Sequence, residues 1–362
     1  MTTDADTKKK AKPRKKARRR RWLWVLGGAV VLVGLWQLAT GIFPEKEKEL
    51  RSRFRETVVE QFPEHAAGFS ETLGLFFVEA DPDAPRGPVA DRRCVVLIHG
   101  VDDPGKVWRN LAPALVAEGF NVWRMEYPND QPIASSAVMF YEELGELRQS
   151  GIEQISIVGH SMGGLVAREM LTHPDLQYVP SAREGRVPEV VELIMVATPN
   201  QGSQLARFRF FSEMREYVER LMEGEASWLG SILDGAGEAK IDLLPGSAFL
   251  TELNARPHPN GVEMLIIAGI TSPWDEDDVD RWVGDLPEDR KEWADEVGEN
   301  LISMAHGLGD GLVTVEGTRL EGVPHLTVDG NHLTIIRNFT ASSDRVPPAV
   351  PVIVDRLLDQ PG

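Results

Sequence analysis

Beyond residue 72, short apolar runs alternate with longer stretches of helical period. The runs at 94–98, 155–158, 190–197 and 262–268 are apolar at nearly every position. Runs of that length without polar alternation suit strands buried on both faces of a parallel sheet. Residues 73–79 and 121–127 read as further strands. A last strand is expected shortly before His332. The intervening stretches 107–118 (stopped by Gly119), 132–149 and 162–171 carry helical spacing. Residues 45–71 predict a connecting helix with Leu50, Phe54, Val58, Val59 and Phe62 on one face. This alternation predicts an α/β domain over 72–358, a mostly parallel central sheet flanked by helices. Ligands in such sheets gather beyond the carboxyl ends of the strands, where His99, Ser161 and Thr198 all fall.

Two stretches interrupt the pattern. Residues 201–260 separate two strands and hold helix-like segments around 208–222 and 226–233, so they read as a lid or cap inserted over the sheet edge. Residues 272–296 are strongly acidic. They read as a solvated helical surface; calcium binding is the alternative, although the ligand spacing of a calcium loop is missing.

The amino terminus differs in kind. Residues 22–44 carry no charge, with Trp22, Trp24 and Trp36 toward the ends. At 1.5 Å per residue the stretch measures about 35 Å, enough for a hydrocarbon core of about 30 Å. Residues 1–21 hold eleven Lys or Arg against Asp4 and Asp6. The expectation is a basic cytoplasmic tail over 1–21 and an uncleaved single-pass anchor over 22–44. That would tether the protein to the bacterial inner membrane, with the catalytic domain on the periplasmic or extracytoplasmic side. A cleaved signal peptide is the rival, but it needs a shorter apolar run and a better cleavage site than 38–41 offers.

Composition narrows the chemistry. The 362 residues carry a net charge of -17. Without the basic tail, 28 basic residues face 54 acidic ones. Such a body repels nucleic-acid phosphates, so no nucleic-acid partner is expected. Cys94 is the single cysteine, which excludes an intramolecular disulfide and a cysteine-based zinc site. No cofactor and no metal are expected, and protein partners are not indicated.

The segment GHSMG (159–163) fits G-x-S-x-G. This pattern serves a tight strand-to-helix turn with the Ser161 hydroxyl exposed at its tip. Gly159 and Gly163 remove side chains that would collide, and Gly164 relaxes the packing further. The Met162 N–H at the start of the new helix is one candidate oxyanion donor. The second is the Val101 N–H, after His99-Gly100, where glycine permits close approach of the backbone. His99 and His160 flank the site and read as braces rather than bases. A serine nucleophile needs a base and an orienting acid. Of eight histidines, His332 in a Gly/Asn turn is the strongest base; His306 and His325 are weaker ones. Asp310, between Gly309 and Gly311, is the acid expected from the order serine, acid, histidine. Asp329 and Glu316 are its rivals.

The set IHG (98–100), GHSMGG (159–164), ATPNQGS (197–203), GDGLV (309–313) and GNH (330–332) resembles the α/β-hydrolase superfamily. The similarity points to bacterial triacylglycerol lipases and esterases and to relatives of the GPI inositol-deacylase. It covers roughly residues 72–358. The resemblance implies Ser161 as nucleophile, Asp310 as acid, His332 as base, and an oxyanion hole from Val101 and Met162. Asn200 stands where the family's TPHxGS segment usually has histidine. The resemblance also implies cofactor-free carboxylic-ester hydrolysis. The expected partner is a hydrophobic ester or lipid substrate, with the membrane reached through the N-terminal helix. A thioesterase, amidase or acyltransferase using the same serine, and a non-catalytic membrane-tethered binding protein, are the alternatives.

Overall fold

The computed structural model describes residues 44–63, 70–79, 87–89, 92–101, 105–203, 238–271, 309–338, 340 and 343–360. Two compact units divide at Leu50 and Arg51. The smaller contributes the start of a helix, α1 (Pro44–Gln61). The larger holds the sheet and everything described below.

Seven strands form one sheet. They are β1 (Gly74–Phe77), β2 (Cys94–Ile98), β3 (Asn121–Glu126), β4 (Gln154–His160), β5 (Glu189–Val196), β6 (Glu263–Ile270) and β7 (His325–Asp329). Their spatial order is β1-β3-β2-β4-β5-β6-β7. β1 pairs antiparallel with β3, and the other five pairings are parallel. All five residues of β2 are buried, as its unbroken apolar run requires of a central strand covered on both sides. Strand alternation sends them two ways. Cys94, Val96 and Ile98 join a core with Phe140 and Leu144 of α3 (Ile133–Gln149) and Leu165 and Met170 of α4 (Met162–Thr172). Val95 and Leu97 join the opposite core with Leu111 and Leu115 of α2 (Leu111–Ala117) and Ile353 of α8 (Ala349–Leu358).

Some boundaries move for physical reasons. The helix expected over 107–118 is a 3-10 turn, Lys106–Arg109, followed by α2. Pro113 has no N–H to give to residue 109, so the α-helix begins late enough to place proline in its first turn, where no intrahelical donor is needed. A short helix α5 (Tyr178–Arg183) precedes β5. Within 201–260, the described part holds α6 (Glu238–Asp242) and α7 (Ala248–Ala255), whose Ala239, Leu250 and Leu253 enter the core beside α4. The expected helices over 208–222 and 226–233 lie outside the described residues, as does the acidic stretch 272–296. Among the described residues no cluster of three or more His, Cys, Asp or Glu is placed to hold a metal ion.

The expected transmembrane helix has to be corrected. Among the described residues no helix is long and apolar enough to cross a membrane. Pro44, read as the last residue of the anchor, instead opens α1, an 18-residue helix of sequence PEKEKELRSRFRETVVEQ. Its many charges would be far too costly in hydrocarbon. Residues 22–43 lie outside the described part. The anchor, the membrane as a partner and the single-pass inner-membrane location with an extracytoplasmic domain are therefore withdrawn.

Phe140 is fully buried where α3 covers the sheet. Phe140→Ala is expected to lower the unfolding free energy by about 3–5 kcal/mol in chemical denaturation. A loss below about 1 kcal/mol would mean that α3 does not carry this face of the core.

Candidate active site

β4 ends at His160 and α4 begins at Met162, so Ser161 alone makes the turn. Its backbone sits at φ 54, ψ -126. A non-glycine residue held there stores roughly 1–3 kcal/mol of strain. Two backbone hydrogen bonds hold it: the Ser161 N–H donates to the Val196 carbonyl at 2.8 Å, and the Gly164 N–H donates to the Ser161 carbonyl at 3.2 Å. The turn closes only because its glycines lack side chains. A Cβ on Gly163 would stand 2.0 Å from the Ile98 carbonyl oxygen, one on Gly159 2.5 Å from the Gly164 nitrogen, and one on Gly164 2.2 Å from Thr198 Oγ1. As the first residue of α4, Met162 offers an amide with no intrahelical acceptor.

The loop after β2 presses on the same turn. A Cβ on Gly100 would lie 2.8 Å from Ser161 Cβ and 3.2 Å from its Oγ. The half-buried Val101 follows directly. His99 is buried and braces this loop. Its Nδ1–H donates to the Gly100 carbonyl at 2.8 Å, and its Nε2 faces the Glu126 carboxylate at 3.6 Å. The ring stacks on Tyr127 at 4.6 Å, and the Tyr127 hydroxyl donates to the His99 carbonyl at 2.5 Å.

Asp310 and His332 meet. His332 Nδ1 donates to Asp310 Oδ2 at 2.7 Å. The other oxygen, Oδ1, accepts from the Leu312 and Val313 amides at 2.8 and 2.7 Å. Both residues are buried. Their backbones are joined as well, the His332 N–H donating to the Asp310 carbonyl at 3.0 Å. Since Nδ1 carries the proton, Nε2 of the neutral ring is an acceptor, and it has no hydrogen-bond partner among the described residues. His160, next to Ser161, ties the two loops together. Its Nε2–H donates to the His332 carbonyl at 2.8 Å, and the two rings lie 4.9 Å apart. The Ser161 hydroxyl and His332 Nε2 share no hydrogen bond here. A donor and an acceptor of complementary kind thus stand beside His160, as in many ligand-free sites whose contacts tighten only around substrate.

The rivals sit elsewhere. Asp329 is exposed at the end of β7, and Glu316 pairs with Arg319 at 2.9 Å. His325 contacts Thr318 Oγ1 at 2.9 Å, and His306 lies outside the described residues. Sequence reasoning missed Tyr127 and Arg168. Tyr127 gave no signal, because its reach to His99 depends on β3 lying beside β2. Arg168 left a trace as a guanidinium beside Glu169 in a helix that up to that point is made of small and apolar residues; it is buried in the structure.

Comparison with known proteins bears on this arrangement. A family model described as "Alpha/beta hydrolase family" matches residues 95–337. The protein named Lipase LipV from Mycobacterium tuberculosis is 29% identical over 134 residues, 32% of this chain and 47% of that protein, so the match spans about half of that relative's length. The mature form of the Bacillus licheniformis lipase BlEst2 superposes with a TM-score of 0.47 at 19% identity, covering 77% of this chain and 98% of that one. A metagenomic carboxyl esterase, MGS0156, gives 0.44 at 19% identity, covering 83% and 86%. The family match spans most of the sheet together with Ser161, Asp310 and His332, and the chain belongs to the alpha/beta hydrolase family.

Proposed function

We propose that this protein hydrolyses carboxylic esters through an acyl-enzyme intermediate. Ser161 is the nucleophile, His332 the general base and acid, and Asp310 the residue that fixes the imidazole. The Val101 and Met162 amides form the oxyanion hole, and His99, Gly100, Gly159, His160 and Gly163 shape and brace it. The observation that carries this reading is the His332 Nδ1 to Asp310 Oδ2 bond at 2.7 Å, which leaves Nε2 an acceptor without a partner among the described residues. Membership of the alpha/beta hydrolase family supports it. Similarity to a protein named a lipase favours an ester with an apolar acyl chain.

The chemistry follows from where protons can go. Ser161 Oγ attacks the acyl carbon while its proton passes to His332 Nε2, and the carbonyl electron pair moves onto the oxygen. That oxyanion accepts from the two amides, one at a helix amino terminus, whose dipoles are already oriented. Collapse breaks the ester C–O bond, and the leaving alkoxide takes the proton from His332. Water then attacks the acyl-serine and gives its proton to the same nitrogen. The second collapse breaks the bond to Ser161 Oγ, which recovers that proton, and the carboxylic acid departs. Asp310 stays ionised throughout and stabilises the imidazolium.

With the full chain and p-nitrophenyl esters of increasing acyl length, Ser161→Ala is expected to lower kcat at least about 10⁴-fold and to abolish labelling by a fluorophosphonate probe. Turnover that survives this change would overturn the assignment. Asp310→Asn is expected to cut kcat/KM roughly 10³- to 10⁴-fold, because the amide no longer selects the tautomer with Nε2 unprotonated. An effect below about tenfold would remove Asp310 from the triad. Higher kcat/KM for longer acyl chains is the expected trend across the ester series, and a steady decline from acetate onward would refute the apolar preference.

A further inference from the structure

The segment TPNQGS (198–203) runs from the end of β5 between the nucleophile helix and the acid-bearing turn, and hydrogen bonds attach it to both. On one side stands Arg168, seven residues after Ser161 and so two turns along the same helix. Its Nη1 donates to Asn200 Oδ1 and its Nη2 to Asn254 Oδ1, each at 3.0 Å. The partners of this buried cation are neutral amides. Burial pushes the guanidinium down to about 10, so it remains charged at neutral pH. On the other side, Asn200 Nδ2 donates to the Thr318 carbonyl at 2.7 Å. The Gln201 N–H donates to the Gly317 carbonyl at 2.8 Å, and Gln201 Nε2 to the Arg319 carbonyl at 3.0 Å. The Ser203 hydroxyl donates to the Leu312 carbonyl at 2.5 Å.

These contacts fall on the stretch 312–319, which begins with the two amides that hold Asp310 Oδ1. A shift of this stretch would move the amides and the carboxylate together. Asn200 is suited to the junction chemically. A guanidinium only donates and a peptide carbonyl only accepts, so one side chain that joins them must accept at one atom and donate at the other. The carboxamide does both. Keeping an arginine buried without a carboxylate at bonding distance is costly, and it is tolerated here at the point where three elements are joined.

We propose that Asn200, held by Arg168, is a positioning residue that keeps the Asp310 turn in register with the Ser161 helix, with Ser203 as a second tie on the same strap. This rests on the reading of Ser161, Asp310 and His332 as the reacting set.

The test compares the full-length wild type with Asn200→Asp and Ser203→Ala. Asn200→Asp preserves the acceptor for Arg168 but replaces the donor to Thr318 with an oxygen that repels it. Asn200→Asp is expected to lower kcat about 10- to 100-fold with KM within about twofold, and to change the NMR signal of the His332 Nδ1 proton, which is bonded to Asp310. Ser203→Ala is expected to do the same to a smaller degree, and it decides alone if Asn200→Asp does not fold. An unchanged Nδ1 proton signal in the folded variants overturns the proposal, even if activity and melting temperature fall together. If the wild type shows no Ser161-dependent hydrolysis, the functional reading fails separately. The positioning is then read from the Nδ1 proton alone, where a changed signal in Asn200→Asp supports it and an unchanged one overturns it.

Discussion

The site depends on a helix lying closer to a sheet than side chains permit. The first turn of α4 passes so near the end of β2 that a methyl group on Gly163 would overlap the Ile98 carbonyl, and Gly159 and Gly164 clear the rest of the passage. Closeness here does more than save space. It brings the loop after His99 against the Ser161 side chain, and it holds Ser161 in a backbone conformation that a side chain disfavours. The strain is sustained because the ladder between β4 and β5 continues into the turn through the Ser161 N–H and the Val196 carbonyl. Any relaxation that widened the gap would separate the Ser161 hydroxyl from the loop after β2.

Topology supplies the remaining partners. The serine follows β4, the TPNQGS strap follows β5, the aspartate precedes β7 and folds against the end of β6, and the histidine follows β7. Adjacent strands lie about 4.8 Å apart, so the histidine starts three strand spacings away from the serine. The loop after β7 therefore steps back across the sheet edge. The Gly330 N–H reaches the Ile270 carbonyl, the His332 N–H reaches Asp310, and the His332 carbonyl accepts from His160. Each step ends on a main-chain group of this loop, so the backbone that carries the imidazole is fixed without use of the ring's own nitrogens.

Much of this was legible along the chain, for reasons that differ by element. β2, β4, β5 and β6 announce themselves because a strand covered on both faces has no room for polar alternation. The glycines around Ser161 and Asp310 were readable because tight turns restrict residue type locally. Arg168 meeting Asn200, and Tyr127 meeting His99, were not readable. They depend on which strands are neighbours and on their register, and no local pattern encodes that. The break at Pro113 was available in principle, since proline in the middle of the expected 107–118 helix cannot donate. Length and apolarity of residues 22–44 suggested a spanning helix; Pro44 instead opens the densely charged helix Pro44–Gln61, and among the described residues no helix is long and apolar enough to span.

One backbone contact has an architectural meaning of its own. The Thr271 N–H donates to the Gly309 carbonyl at 2.6 Å, clasping the chain on either side of 272–308 just where the acid turn begins. The carbonyl that accepts this bond belongs to the residue before Asp310, so the start of the Asp310 turn is fixed to the end of β6 by main chain alone. A main-chain tie does not depend on which side chains stand at 271 and 309, and substitutions there can leave the placement of the Asp310 backbone intact.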